Sequence, residues 1–176
     1  MRWIWLDHIN EMVPGERCVA IKNVTLSEDV VHDHFPAAED DAYPPIPCMP
    51  HTLIIEGMAQ TAGILVGYTG DLKEKVILAK IGKAVFTEAL AKPGTTIRHT
   101  AVLDRFDPTG AACSGTVELI DSSTGQAQPY AQIDLMFSHV DQNRQGLEFP
   151  DDNFVFTDLF LSLLERSGIE VPDSVK

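Results

Sequence analysis

The order of apolar and polar positions divides the chain into strands around one long helix, then a polar join and a last short helix. Residues 52–68 are apolar almost all round, with Ile54, Met58, Ala62 and Leu65 on one flank and Leu53, Ile55, Ile64 and Val66 on others. A helix without a polar face has to be covered on several sides, and a curved sheet would cover it. Residues 17–26, 76–86, 95–106, 111–120 and 129–140 read as strands. In the last of these Ala131, Ile133, Leu135 and Phe137 alternate with Gln132, Asp134, Met136 and Ser138, the period of a half-buried strand. Pro14-Gly15, Pro93-Gly94, Asp107-Pro108-Thr109-Gly110 and Ser122-Ser123-Thr124-Gly125 punctuate the runs as turns. Hairpin-sized connections make the last three or four strands an antiparallel meander. Residues 141–153 are polar, with Gly146 and Pro150, and read as a linker. Residues 154–164 read as a short amphipathic helix ended near Gly168, which packs on the body or on a second subunit.

Composition points to one globular core, and the strands with their long helix read as an α+β fold. A chain of 176 residues fills one core well and is short for two ordinary domains. Hydrophobic residues at 44% and charged residues at 22% are globular values rather than disordered ones. Glu56 and Gln60 interrupt the longest apolar stretch, so a buried helix is expected there rather than a membrane span. The apolar run at Trp3–Leu6 is too short for a signal peptide before Asp7 and His8, which places the expected location in the cytoplasm. Cys18, Cys48 and Cys113 are widely spaced and form no C-x-x-C pair. A disulfide framework and a zinc knuckle are therefore not expected, and Cys18 and Cys113 read as core residues. The net charge of −13 argues against a nucleic-acid partner, since phosphate contacts need Lys and Arg.

Two polar features stand where they carry chemistry. Glu56 lies inside the most apolar helix, where lost hydration would raise its pKa and suit it to act as a general acid. The opposing reading puts it on an exposed stripe or against a lysine. The second feature is His32-Asp33-His34-Phe35-Pro36, whose histidines exchange protons near neutral pH. A histidine by itself is more often structural than catalytic. The H-x-H pair also raises metal binding, with His51, Glu39, Asp40 and Asp41 nearby in sequence. If residues 30–34 are extended, His32 and His34 share a face. That spacing matches no strong metal motif, and no metal site is expected. The chain has no G-x-S-x-G elbow, phosphate loop or dinucleotide fingerprint.

Three segments in order, Pro14–Thr25, Asp33-His34-Phe35-Pro36 and Met49–Gln60, resemble the bacterial 3-hydroxyacyl-acyl carrier protein dehydratases of type II fatty-acid synthesis (the FabZ/FabA type). Lys83-Ala84-Val85-Phe86 and Ala91-Lys92-Pro93-Gly94-Thr95 continue the resemblance, which runs from about Leu6 to Val140. It implies a hot-dog fold over residues 1–140, an antiparallel sheet wrapped around a long central helix. Residues 141–176 lie outside it as an extension with an extra C-terminal helix. The resemblance implies removal of water from (3R)-hydroxyacyl thioesters to give trans-2-enoyl thioesters, with no cofactor. His34 would take the α-proton and Glu56 would protonate the departing hydroxyl. Gln60 would orient the acid, and the backbone N–H of His51 would bind the thioester oxygen. Phe35 and Pro50 would touch substrate. The implied partners are acyl carrier protein and a second copy of the chain, with a trimer of dimers as the larger assembly. Each site would combine the histidine of one subunit with the acid of the other. An acidic carrier would need a basic patch, for which Lys73, Lys75, Lys80, Lys83, Lys92 and Arg98 are the candidates.

The chain departs from the family's pattern in two places. His51 stands where relatives carry glycine, so a side chain projects near the substrate. Residues 37–44, with Glu39-Asp40-Asp41, form an insertion between His34 and Glu56. These departures keep an acyl thioesterase and a catalytically altered acyl-binding protein open as alternatives.

Overall fold

The structure, a computed structural model, describes residues 3–37, 45–140 and 157–172. The linker expected at 141–153 and most of the 37–44 insertion lie outside these residues. Along the chain come β1 (His8–Val13), β2 (Arg17–Asn23), α1 (Asp29–His32), α2 (His51–Thr69), β3 (Val76–Phe86), β4 (Thr95–Asp107), β5 (Gly110–Asp121), β6 (Ala127–His139) and α3 (Asp158–Arg166). The strands make a six-stranded sheet in the order β1-β2-β4-β5-β6-β3, with antiparallel pairing throughout. α2 packs across β2 to β6. An antiparallel sheet laid on one long apolar helix is the hot-dog arrangement, and the protein is α+β.

Alternation in the strands produces the covered face. Ile97 and Ala101 of β4, Cys113, Val117 and Leu119 of β5, and Ile133, Leu135 and Phe137 of β6 are buried in one core with Ile54, Met58, Ala62 and Leu65 of α2. The turns work as their residues dictate. Asp121 accepts the backbone N–H groups of Ser123 and Thr124 at 2.8 and 3.0 Å, and Gly125 takes φ +71 to close the β5–β6 hairpin. Helix and sheet approach closely at Gly115, where a Cβ would stand 2.6 Å from Met58 Sδ and 2.7 Å from Ile133 O.

The meander expected of the last three or four strands is made by the last three, β4, β5 and β6, and β3 joins the far edge beside β6. The strand β1 was not read from the sequence; its pairing slips at Ile9/Glu11, and that irregularity hides the alternation. Residues 29–32 form one helical turn rather than an extended segment. His32 is consequently held beside Asp33 and Asp29, and the shared H-x-H face does not arise. Cys18, Cys48 and Cys113 are free and buried, and burial pushes the Cys18 and Cys113 thiols up to about 12.

Candidate active site

α2 is apolar enough to be buried along most of its length, and one stripe of it faces a pocket. Glu56, Gln60, Gly63 and Ile64 lie on that stripe and line a pocket of about 160 Å³ together with Leu78 and Phe160. Glu56 is half-buried at this pocket. The fully apolar setting expected for it is therefore replaced by a hydrogen-bonded corner. Trp3 Nε1 donates to Glu56 Oε1 at 3.0 Å, and Gln60 Nε2 donates to the same oxygen at 2.8 Å. Both donors meet the same carboxylate oxygen.

Gln60 is fixed from behind. It is buried, its Oε1 accepts the Trp5 backbone N–H at 2.9 Å, and its Nε2 also reaches the Trp3 carbonyl at 3.3 Å. These bonds settle which end of the amide faces Glu56. Trp3 and Trp5 meet edge to face with centroids 5.5 Å apart. The N-terminal segment thus braces the carboxylate. Sequence reasoning missed Trp3, because a bond across 53 positions leaves no local pattern.

His34 occupies a different corner. It is exposed, its ring meets Phe35 edge to face at 4.5 Å, and no hydrogen bond to it is found among the described residues. With Phe35, Cys48, Pro50, His51 and Leu90 it lines a pocket of about 260 Å³. The structure therefore gathers His34, Phe35, Pro50 and His51 at one pocket, and Glu56 and Gln60 at another. Within one chain, the histidine and the acid share neither.

His51 is the first helical residue of α2, after Pro50. Its ring stacks flat on Phe86 at 4.1 Å and 7° and meets Tyr130 edge to face at 5.9 Å. Its side chain is thus seated on β3 and β6. The Leu53 and Ile54 N–H groups bond the Pro50 carbonyl at 3.0 and 3.2 Å, and the His51 and Thr52 N–H groups carry the positive end of the helix, where they suit an oxyanion. The Tyr130 hydroxyl is buried, and burial, with Cys48 nearby, pushes it up to about 12. His99 of β4 is wholly buried against Gly57, one residue from Glu56, and desolvation lowers it to about 3.

Among the described residues no cluster of three or more His, Cys, Asp or Glu could hold a metal ion. Glu39, Asp40 and Asp41 lie outside them. Among the described residues, too, no helix is long and apolar enough to cross a membrane. The six candidate cations do not form one free field. Arg98 is paired with Glu118 at 2.7 Å, Lys73 with Asp71 at 3.0 Å, and Lys83 donates to Gln132 at 2.8 Å. Lys92 stands near Cys48, at the His34 pocket.

Fold and pockets define a hot-dog protein with acid and imidazole groups flanking its central helix. The sequence matches the FabA-like domain over residues 3–103, and the chain belongs to that family. It is 34% identical over 118 residues to the 3-hydroxyacyl-(acyl-carrier-protein) dehydratase FabZ of Lactobacillus helveticus, covering 65% of this chain and 74% of that one. It is 44% identical over 69 residues to FabZ of Geotalea uraniireducens, covering 39% and 42%. FabZ of Ligilactobacillus salivarius is 30% identical over 101 residues, covering 57% and 66%. The match thus spans less than two thirds of the length of the Geotalea and Ligilactobacillus proteins. Among solved structures, the dehydratase heterocomplex ApeI:P of Xenorhabdus doucetiae superposes with a TM-score of 0.55 at 14% identity, covering 80% of this chain and 85% of that one. A Staphylococcus aureus acyl-CoA hydrolase variant in complex with coenzyme A gives 0.55 at 14% identity, covering 86% and 84%. These likenesses show the fold, which carries more than one reaction.

Proposed function

We propose that the protein dehydrates 3-hydroxyacyl thioesters, as the names of its FabZ relatives describe for them. The observation that carries this reading is the Glu56 corner, a carboxylate braced by two N–H donors at the mouth of an apolar pocket. In the reaction His34 takes the α-proton, and the C–H electron pair becomes the new double bond. The C3–O bond then breaks, and the hydroxyl leaves as water with the proton from Glu56. Charge developing on the thioester oxygen is met by N–H groups at the start of α2. Two proton transfers and a polarised carbonyl complete the chemistry.

Joining His34 to Glu56 requires a second chain. β3 supports this, because it is a sheet edge with Leu78, Ile81 and Val85 at 40%, 45% and 55% exposure. A long apolar edge is a template for pairing. Pairing two β3 strands makes one sheet through both subunits and covers the apolar residues. Leu78 lines the Glu56 pocket, so the partner's residues come up beside the acid. The acyl group arrives on acyl carrier protein, the carrier in the relatives' names, and Lys92 near the His34 pocket is the cation best placed to meet it.

The test is hydration of a trans-2-enoyl thioester by purified protein, followed as loss of the conjugated enoyl absorbance. Turnover that H34A and E56Q both abolish is expected. Unchanged rates in the two variants would remove the assignment. The fold shared with an acyl-CoA hydrolase favours thioester hydrolysis as the second reading, and release of free thiol without enoyl turnover would select it.

A further inference from the structure

We propose that Phe160 of the C-terminal helix is a specificity-determining residue that stops the acyl pocket and limits the protein to short acyl groups. This rests on the dehydratase reading and assigns its substrate class. The pocket beside Glu56 follows the stripe Glu56, Gln60, Gly63 and Ile64, which recurs at helical spacing and so runs along α2 away from the acid. Apart from Glu56 and Gln60, its walls are apolar. At Gly63 an added Cβ would come into ordinary contact with Phe137 at 3.6 Å and take up part of the pocket. An alkyl tail attached to a thioester reacting at Glu56 fits this chemistry.

Phe160 lies outside the segment that matches the family, yet it lines this pocket. Its position is fixed by the helix that carries it. Leu163 and Leu164, three and four residues on, are fully buried in the core, so Phe160 shares their face. The end of α3 is also tied down: Ser167 Oγ accepts the Ile9 N–H at 3.0 Å, and Tyr68 Oη donates to the Glu170 carbonyl at 2.7 Å. A ring held in this way limits the length of the tail. Within one chain the pocket measures about 160 Å³, on the scale of the roughly 150 Å³ apolar cavity that accepts one benzene, about six carbons; a partner paired at β3 adds wall beside Leu78, while the Phe160 stop belongs to this chain. The larger cavity of about 510 Å³, between Val85 and Gln132, is lined by neither Glu56 nor His34 and is not the tail's first destination.

The test is calorimetric binding of saturated butyryl, hexanoyl and decanoyl thioesters of N-acetylcysteamine to the full-length protein, to F160A and to F160W. In the wild type, affinity should rise from butyryl to hexanoyl and stop rising at decanoyl. F160A should extend the rise by about fourfold for each newly buried methylene. F160W should move the stop to a shorter chain, and it retains the aromatic packing if F160A folds poorly. An identical chain-length profile in all three proteins, or no binding by any of them, overturns the proposal. Enoyl hydration by the same preparations separates the two claims. Turnover with a profile that ignores Phe160 removes the ruler and keeps the reaction; a stop that moves with Phe160 without turnover does the reverse.

Discussion

Glu56 and His34 flank the same helix but are held very differently. Glu56 Oε1 takes N–H groups from Trp3 and Gln60, and Gln60 is itself fixed by the Trp5 backbone. His34 is exposed on a bend, with the Phe35 ring as its neighbour. The acid is thus preorganised by its own chain, whereas the imidazole has its pocket but not its partner. The proposed pairing of the two groups needs a second chain, and the open β3 edge is the surface on which it would dock.

The sharpest way to break the comparison is to remove each group in turn. E56Q and H34A should each lower kcat for enoyl hydration by about 10²–10⁴-fold. H34A should leave the melting temperature unchanged, because an exposed ring with no hydrogen bond contributes little to folding.

The next effect concerns the seat of α2 beneath Glu56. His99 is buried with a pKa lowered to about 3 from its ordinary 6.5, through desolvation. Between those values the unfolded chain holds a proton that the folded chain does not. Its contribution is therefore complete above about pH 6.5 and is lost as pH falls, by up to about 1.4 kcal/mol per pH unit. Denaturant unfolding at about pH 7.5 and about pH 5 should show a loss of about 2 kcal/mol that H99Q abolishes. An equal loss in H99Q would contradict this account of the core.

Overpacking at Gly115 is expected to cost about 1–3 kcal/mol, since a Cβ there meets both Met58 and a backbone carbonyl. G115A should lower the melting temperature by several degrees, about 2–4 °C per kcal/mol for a chain of this size. The smallest effect belongs to Trp3. W3F keeps the ring and loses the N–H, which is worth about 1 kcal/mol, or about fivefold, in kcat with KM unchanged. A change in KM without a change in kcat would assign Trp3 to substrate binding rather than to bracing Glu56.

Much of the scaffold is legible in the sequence because it follows from local periodicity. The helix read at 52–68 is observed as His51–Thr69, and the strand read at 76–86 as Val76–Phe86. Strand order was less legible, because the placement of β3 beyond β6 depends on a connection that no hairpin length reveals. At the site, Glu56 announces itself as a carboxylate among apolar residues. Its surroundings do not, since Trp3 is 53 positions away and Phe160 comes from the far end of the chain. The orientation of His51 was equally out of reach, because stacking on Phe86 is a product of the closed sheet and helix.

The central claim, that a braced acid from one chain works with an imidazole from another, is tested most directly by mixing the two inactive variants. H34A and E56Q chains, unfolded together and refolded, pair at random into dimers, half of which carry one chain of each kind. Each mixed dimer holds one site with both groups intact, so enoyl hydration should return to about a quarter of the wild-type rate. A mixture that remains as inactive as its parents would contradict the account.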